Sequence, residues 1–122
     1  MGRVDELNRV LNGLRSGTPE IEAAALISED GLVIASVLPQ QIEEMRVAGM
    51  SATLLSLGMR AASELGRGTL EQVLIRGEKG YVVMLHASTG TLLLALTTQE
   101  AKLGLIFLEM KRAVSEIQKV LP

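Results

Sequence analysis

The sequence predicts an α+β domain in three layers, with helices on both faces of a five-stranded antiparallel sheet and the element order αββαβββα. Three observations carry that prediction. Segments of helical and of strand period follow one another in that order along 122 residues. Neighbouring strands are joined by Glu29-Asp30-Gly31, Gly77-Glu78-Lys79-Gly80 and Ser88-Thr89-Gly90, turns too short for a crossover, so the strands run antiparallel. The runs VVML at 82–85 and LLLAL at 92–96 have no polar side, and such strands need cover on both faces.

The first helix is read over residues 3–15, where Val4, Leu7, Val10, Leu11 and Leu14 recur at helical spacing and Gly17 and Pro19 stop the chain. Two β-rich runs follow, 21–28 and 32–37, hinged on Asp30-Gly31 because Gly tolerates the positive φ of a tight turn. Pro39 ends the second strand, and a long helix is expected from about 41 to 65, closed by Gly66 and Gly68. Three strands come next, 70–76, 81–87 and 91–97. Thr97 and Glu100 have the spacing of a capping box for a last helix reaching about Val120, with Leu103, Ile106, Phe107, Met110, Val114, Ile117 and Leu121 inward.

The long helix is unusual in having two apolar stripes when its residues are placed at about 100° each. Val47, Met50, Leu54, Leu57, Ala61 and Leu65 form one, and Ala48, Ala52, Leu55, Met59 and Ala62 form the other. One stripe suffices to pack on a sheet. The second, read as the Ala48 to Ala62 set, implies cover by a helix of a second chain, by a loop or by the first helix of the same chain.

Composition excludes several functions. A net charge of −2 without a basic block argues against nucleic acid and polybasic membrane contacts, and 2% aromatic residues leave no stacking platform. No cysteine is present, so disulfides, thiolate catalysis and cysteine-bound metals are out. The amino terminus lacks the apolar core of a signal peptide, and no apolar run approaches the ~20 residues of a membrane span. The expected setting is the cytoplasm.

Catalytic chemistry is hard to find. His86 stands alone in a strand, which suits a structural role better than a metal site or triad. Neither phosphate-cradling glycine motif occurs. The acids Glu20, Glu22, Glu43, Glu44 and Glu78 read as solvated surface, and Glu109 with Arg112 and Glu116 with Lys119 as helix-surface pairs. No enzyme activity and no cofactor are expected.

Two stretches carry a resemblance: LEQVLIRGEKGYVVML, a strand, glycine turn and strand around Gly77, Gly80 and Tyr81, and TTQEAKLGLIFLEMKRAV, through Leu103, Gly104, Glu109, Met110, Arg112 and Ala113. With EDGLVIAS at 29–36, they resemble the Roadblock (dynein light-chain) family, departing from it at Lys102, where Asn is common. The resemblance implies a profilin- or longin-like fold with strand order 2-1-5-4-3. It also implies a homodimer or heterodimer in which third strands pair across a two-fold axis and middle helices pack together.

On that basis the expected dimer interface comprises Met45, Ala48, Ala52, Leu55, Met59 and Ala62 of the long helix with Leu70, Val73, Leu74 and Ile75 of the third strand. Closest in type are the prokaryotic MglB-like regulators of Ras-like small GTPases. A regulator or platform for such a GTPase would keep Arg46, Gly49, Thr53, Ser56, Arg60 and Glu64 for its partner, with Arg46 or Arg60 as a candidate arginine finger. The alternatives are an adaptor dimer of dynein light-chain type and, last, a small-molecule sensor, which would need a cavity with convergent polar groups.

Overall fold

Tight turns decide which strands meet. In the computed structural model, which describes residues 2–122, Gly31 has φ 86° and its N–H donates to the Ser28 carbonyl, folding β1 (Ile21–Ser28) onto β2 (Val33–Val37). Gly77 and Gly80 face each other across a two-residue loop joining β3 (Gln72–Gly77) to β4 (Gly80–Ser88). Gly90, at φ 76°, turns β4 into β5 (Thr91–Thr98), and the Thr91 hydroxyl accepts the Ser88 N–H at 2.8 Å. All pairings are antiparallel, and β1 beside β5 closes the order β2-β1-β5-β4-β3.

Alternation then sorts the side chains into two cores. Ala24, Leu26, Val83, Leu85, Leu93 and Ala95 point toward α1 (Arg3–Gly17) and α3 (Leu103–Val120), where Leu7, Leu11, Ile106, Met110 and Ile117 are buried. Ala25, Ile27, Met84, Leu92 and Leu94 point the other way, toward α2 (Glu44–Glu64). This is the expected three-layer arrangement and element order.

The differences from expectation have local causes. Thr97 does not cap α3: it is buried in β5, where its hydroxyl accepts the Tyr81 N–H and donates to the Thr98 carbonyl. The helix starts only at Leu103, after a turn in which Ala101 N–H reaches the Thr98 carbonyl, and Lys102 makes no side-chain cap. Likewise α2 starts at Glu44, because a turn from the Pro39 carbonyl to Ile42 N–H precedes it. Val4 is exposed rather than inward, and Ala113 joins the inner face of α3.

The end of α2 is a Schellman closure. Gly66, at φ 68°, sends its N–H to the Ser63 carbonyl, and Arg67 sends its own to Ala62 at 2.7 Å, satisfying carbonyls the helix leaves free. The chain then doubles back into β3. Gly58 permits that close return: a Cβ there would meet methyl groups of Leu70 and Val73 at 3.2 and 3.3 Å.

Candidate functional site

Because α2 alone covers its side of the sheet, its packed face fixes what it leaves free. Ala48, Ser51 and Leu55 are buried, with Ala52, Gly58 and Ala62 half-buried beside them. Small residues at Ala48, Ser51 and Ala52 let the helix lie close, and Leu55 fills the space among Ile27, Met84, Leu92 and Leu94. A burial of that size contributes about 1.5 to 3 kcal/mol.

This reverses the assignment of the two stripes. Ala48 and Leu55, expected at a dimer interface, have no surface left for another chain. Ala52 lies against the β1–β2 turn, whose Gly31 sits close to Gly49 and Ala52, so a loop of the same chain partly covers that side. Ala62 is half-buried, Met59 remains 43% exposed near that turn and Met45 stands 87% exposed at the helix start. The more open stripe is the other one: Met50 at 54%, Leu57 at 58% and Leu65 at 71% exposure, with Ala61 exposed, while its Val47 and Leu54 are half-buried against the core under α2. Ala48, Ser51 and Leu55 lie against the sheet, and Met50, Leu57 and Leu65 stand outside.

Beside this stripe runs β3, an edge strand that pairs only with β4. Val73 and Ile75 lie on the α2 face, opposite Met84 and Val82, and Leu74 on the other, opposite Val83. Leu74 and Ile75 are exposed, whereas Leu70 precedes the strand and tucks against Gly58. An unpaired edge of this composition invites strand addition, and α2 places apolar surface beside it.

The six residues expected to meet a partner are all exposed, and the structure divides them. Gly49, Thr53, Ser56 and Arg60 line one open groove with Glu29, Asp30 and Gly31 of the β1–β2 turn. Arg46 and Glu64 stand outside it, near the two ends of α2. Sequence periodicity missed the contribution of the turn, since it ranks positions only within one helix. Arg46 lies 3.8 Å from Glu43 and Arg60 lies 3.6 Å from Glu64, both in well-exposed pairs. Glu44 ties α2 to β2, its carboxylate accepting a hydrogen bond from the Ser36 hydroxyl at 2.8 Å.

His86 is half-buried on the α2 face, its Nδ1 3.8 Å from a Glu29 carboxylate oxygen. Among the described residues no group of three or more His, Cys, Asp or Glu is placed to hold a metal ion, and no helix is long and apolar enough to cross a membrane.

A five-stranded antiparallel sheet in this order, with one helix on one face and two on the other, defines a Roadblock- or profilin-like domain. The chain belongs to the Roadblock/LC7 domain family, whose profile it matches over residues 7–97. Two proteins of Methanocaldococcus jannaschii are each 40% identical over 112 residues, covering 92% of this chain and 96% of theirs. The Roadblock/LC7 domain from Streptomyces avermitilis superimposes with a TM-score of 0.88 at 27% identity, covering 93% of this chain and 96% of that one. Myxococcus xanthus MglB gives 0.88 at 21% identity, covering 97% and 89% of the respective chains. A profilin from Schizosaccharomyces pombe shares the fold at 0.67 and 15% identity, covering 93% and 98%.

Proposed function

We propose that this protein is a non-enzymatic, cytoplasmic homodimer that regulates or presents a Ras-like small GTPase. The observation that carries this reading is the open stripe Met50, Leu57, Ala61 and Leu65, with half-buried Leu54 at its edge, lying beside the open β3 edge. Both surfaces belong to one side of the molecule, and a second copy covers both at once about a two-fold axis. Membership of the Roadblock/LC7 family and the shared fold with MglB support the same arrangement.

In this reading the dimer interface consists of the bulky α2 stripe with Val73, Leu74 and Ile75, in place of Ala48 and Leu55. The GTPase docks on what stays open: the groove of Gly49, Thr53, Ser56 and Arg60 against the β1–β2 turn, with Arg46 and Glu64 at its margins. The partner brings the nucleotide and its magnesium, and this protein acts by binding one switch-loop arrangement better than the other.

The test is to mix the purified protein with the small GTPases of its own cell and measure binding in both nucleotide states together with hydrolysis. State-selective binding with faster hydrolysis is the expected result for a regulator. State-independent binding with unchanged hydrolysis identifies an adaptor, and no binding to any of them overturns the GTPase reading.

A further inference from the structure

We propose that β2, the second open edge of the sheet, takes an extended segment of another protein as an added strand, and that this segment alternates apolar with basic side chains. β2 is the last strand on its side and pairs only with β1. It lies across the sheet from β3, so it stays open in each copy when a second copy covers β3 and α2.

Register decides which backbone groups of β2 are free. On β1, the Ser28 N–H donates to the Leu32 carbonyl at 2.8 Å, whereas the Glu29 N–H turns the other way, to the Gly90 carbonyl beside β5 at 2.9 Å. Backbone groups alternate in direction along a strand, so Ala24 and Leu26 also face β2 and bond to their partners Val37 and Ala35. Between those two, Ser36 points its N–H and C=O outward, and Val33, opposite Ile27, does the same. Outward groups of this kind are the template that strand addition uses.

The surroundings of the edge select its occupant. Glu44 accepts the Ser36 hydroxyl at 2.8 Å, so the start of α2 lies over β2, and the next residue, Met45, stands 87% exposed there. The open stripe of α2 makes no use of Met45. Leu32, which leads into β2, is also exposed, and Val33, Val37 and Leu38 are half-buried. The edge is acidic as well as apolar, because Glu29 and Asp30 in the turn and Glu43 and Glu44 at the helix start are all exposed. The base beside them, Arg46, already pairs with Glu43 at 3.8 Å.

A second copy does not suit this edge. Pairing β2 with β2 about Ser36 sets each Glu44 against the other, and like charges brought together weaken association. The register also slips between Leu26 and Ile27, leaving Ile34 as an extra residue, and such a bulge bends the edge away from a rigid sheet. A flexible segment follows the bend. Its lysines or arginines lie on the α2 side, with Ser36 and Glu44, and its apolar residues lie on the α1 side, with Val37.

The probe is a short fluorescent peptide alternating lysine and valine, compared by anisotropy with a glutamate and valine counterpart and with the lysine peptide N-methylated throughout. The wild-type protein is expected to bind the first at least about tenfold more tightly than either of the others. Hydrogen exchange is expected to show the added protection at Val33–Val37 and not at Gln72–Gly77. Glu43→Lys with Glu44→Lys is expected to reverse the preference toward the glutamate peptide. Ser36→Pro, which removes an outward N–H and none of the ladder with β1, is expected to abolish binding with unchanged circular dichroism. If Ser36→Pro fails to fold, the charge-reversed variant and the exchange pattern decide. No binding of the lysine peptide, equal binding of its N-methylated form or protection confined to β3 overturns strand addition at β2. A preference that the charge-reversed variant leaves unchanged overturns the basic occupant.

Discussion

Replacing Leu57 by Glu separates the two roles of α2. Leu57 is 58% exposed, so the substitution removes little from the folded chain, and a surface change of this kind is worth within about 0.5 kcal/mol. In the proposed dimer the same residue is covered. Fully burying a leucine contributes about 1.5 to 3 kcal/mol, so covering its exposed part contributes roughly 1 to 1.5 kcal/mol per copy. Two copies lose about 2 to 3 kcal/mol, and carboxylates placed in an apolar seam add desolvation and mutual repulsion. A total of at least about 4 kcal/mol raises the dissociation constant roughly a thousandfold. Sedimentation velocity at micromolar concentration should show a monomer with the wild-type far-ultraviolet circular dichroism. Wild-type association by Leu57→Glu would refute the placement of the stripe, and an unfolded Leu57→Glu would show that this face supports the fold itself.

Other substitutions probe the frame. Leu55→Ala should lower the stability measured by urea unfolding by about 2 to 5 kcal/mol, because it leaves a cavity among Ile27, Met84 and Leu94; a loss below about 1 kcal/mol would contradict the packed face of α2. Gly80→Ala should destabilise by about 2 kcal/mol or more, since its Cβ would collide with the Thr97 carbonyl at φ 155°, and unchanged urea unfolding would contradict the β4–β5 geometry. Arg46→Ala and Arg60→Ala should each leave any stimulation of a cognate GTPase within about tenfold of wild type, as both side chains sit in exposed pairs on their own helix. A loss of about a thousandfold in either would identify an arginine finger instead.

The element order and the turns were legible because glycine, proline and residue period act locally. Gly31 and Gly90 take the positive φ that their turns need, and β1 falls at Ile21–Ser28 as its residues suggested. The orientation of α2 was not legible from period alone, since both stripes are apolar and either satisfies the pattern. What distinguishes them is the depth at which a helix meets a sheet. Ala48 and Ser51 allow close approach only where Leu55 finds a gap between strands, and that gap is made by Ile27, Met84 and Leu92 from distant parts of the chain. Thr97 failed as a cap for a related reason. Its hydroxyl is claimed by the Tyr81 N–H of a neighbouring strand, a competitor that local spacing does not contain.

The site was legible to a similar extent. The exposed polar positions of α2 and the open third strand follow from the sequence, but the groove against Glu29 and Asp30 exists only because the β1–β2 turn folds over Gly49.

The central claim is that the β3 edge and the bulky α2 stripe form one surface covered by a second copy. Hydrogen exchange of β3 measures this most directly, because half of the backbone amides of an edge strand face away from its one neighbour. At a protein concentration well above the dissociation constant, all the amides of Gln72–Gly77 should be protected, and dilution or Leu57→Glu should release those that face away from β4. Fast exchange of those same amides at every concentration would mean that nothing pairs with β3, and the account would be wrong.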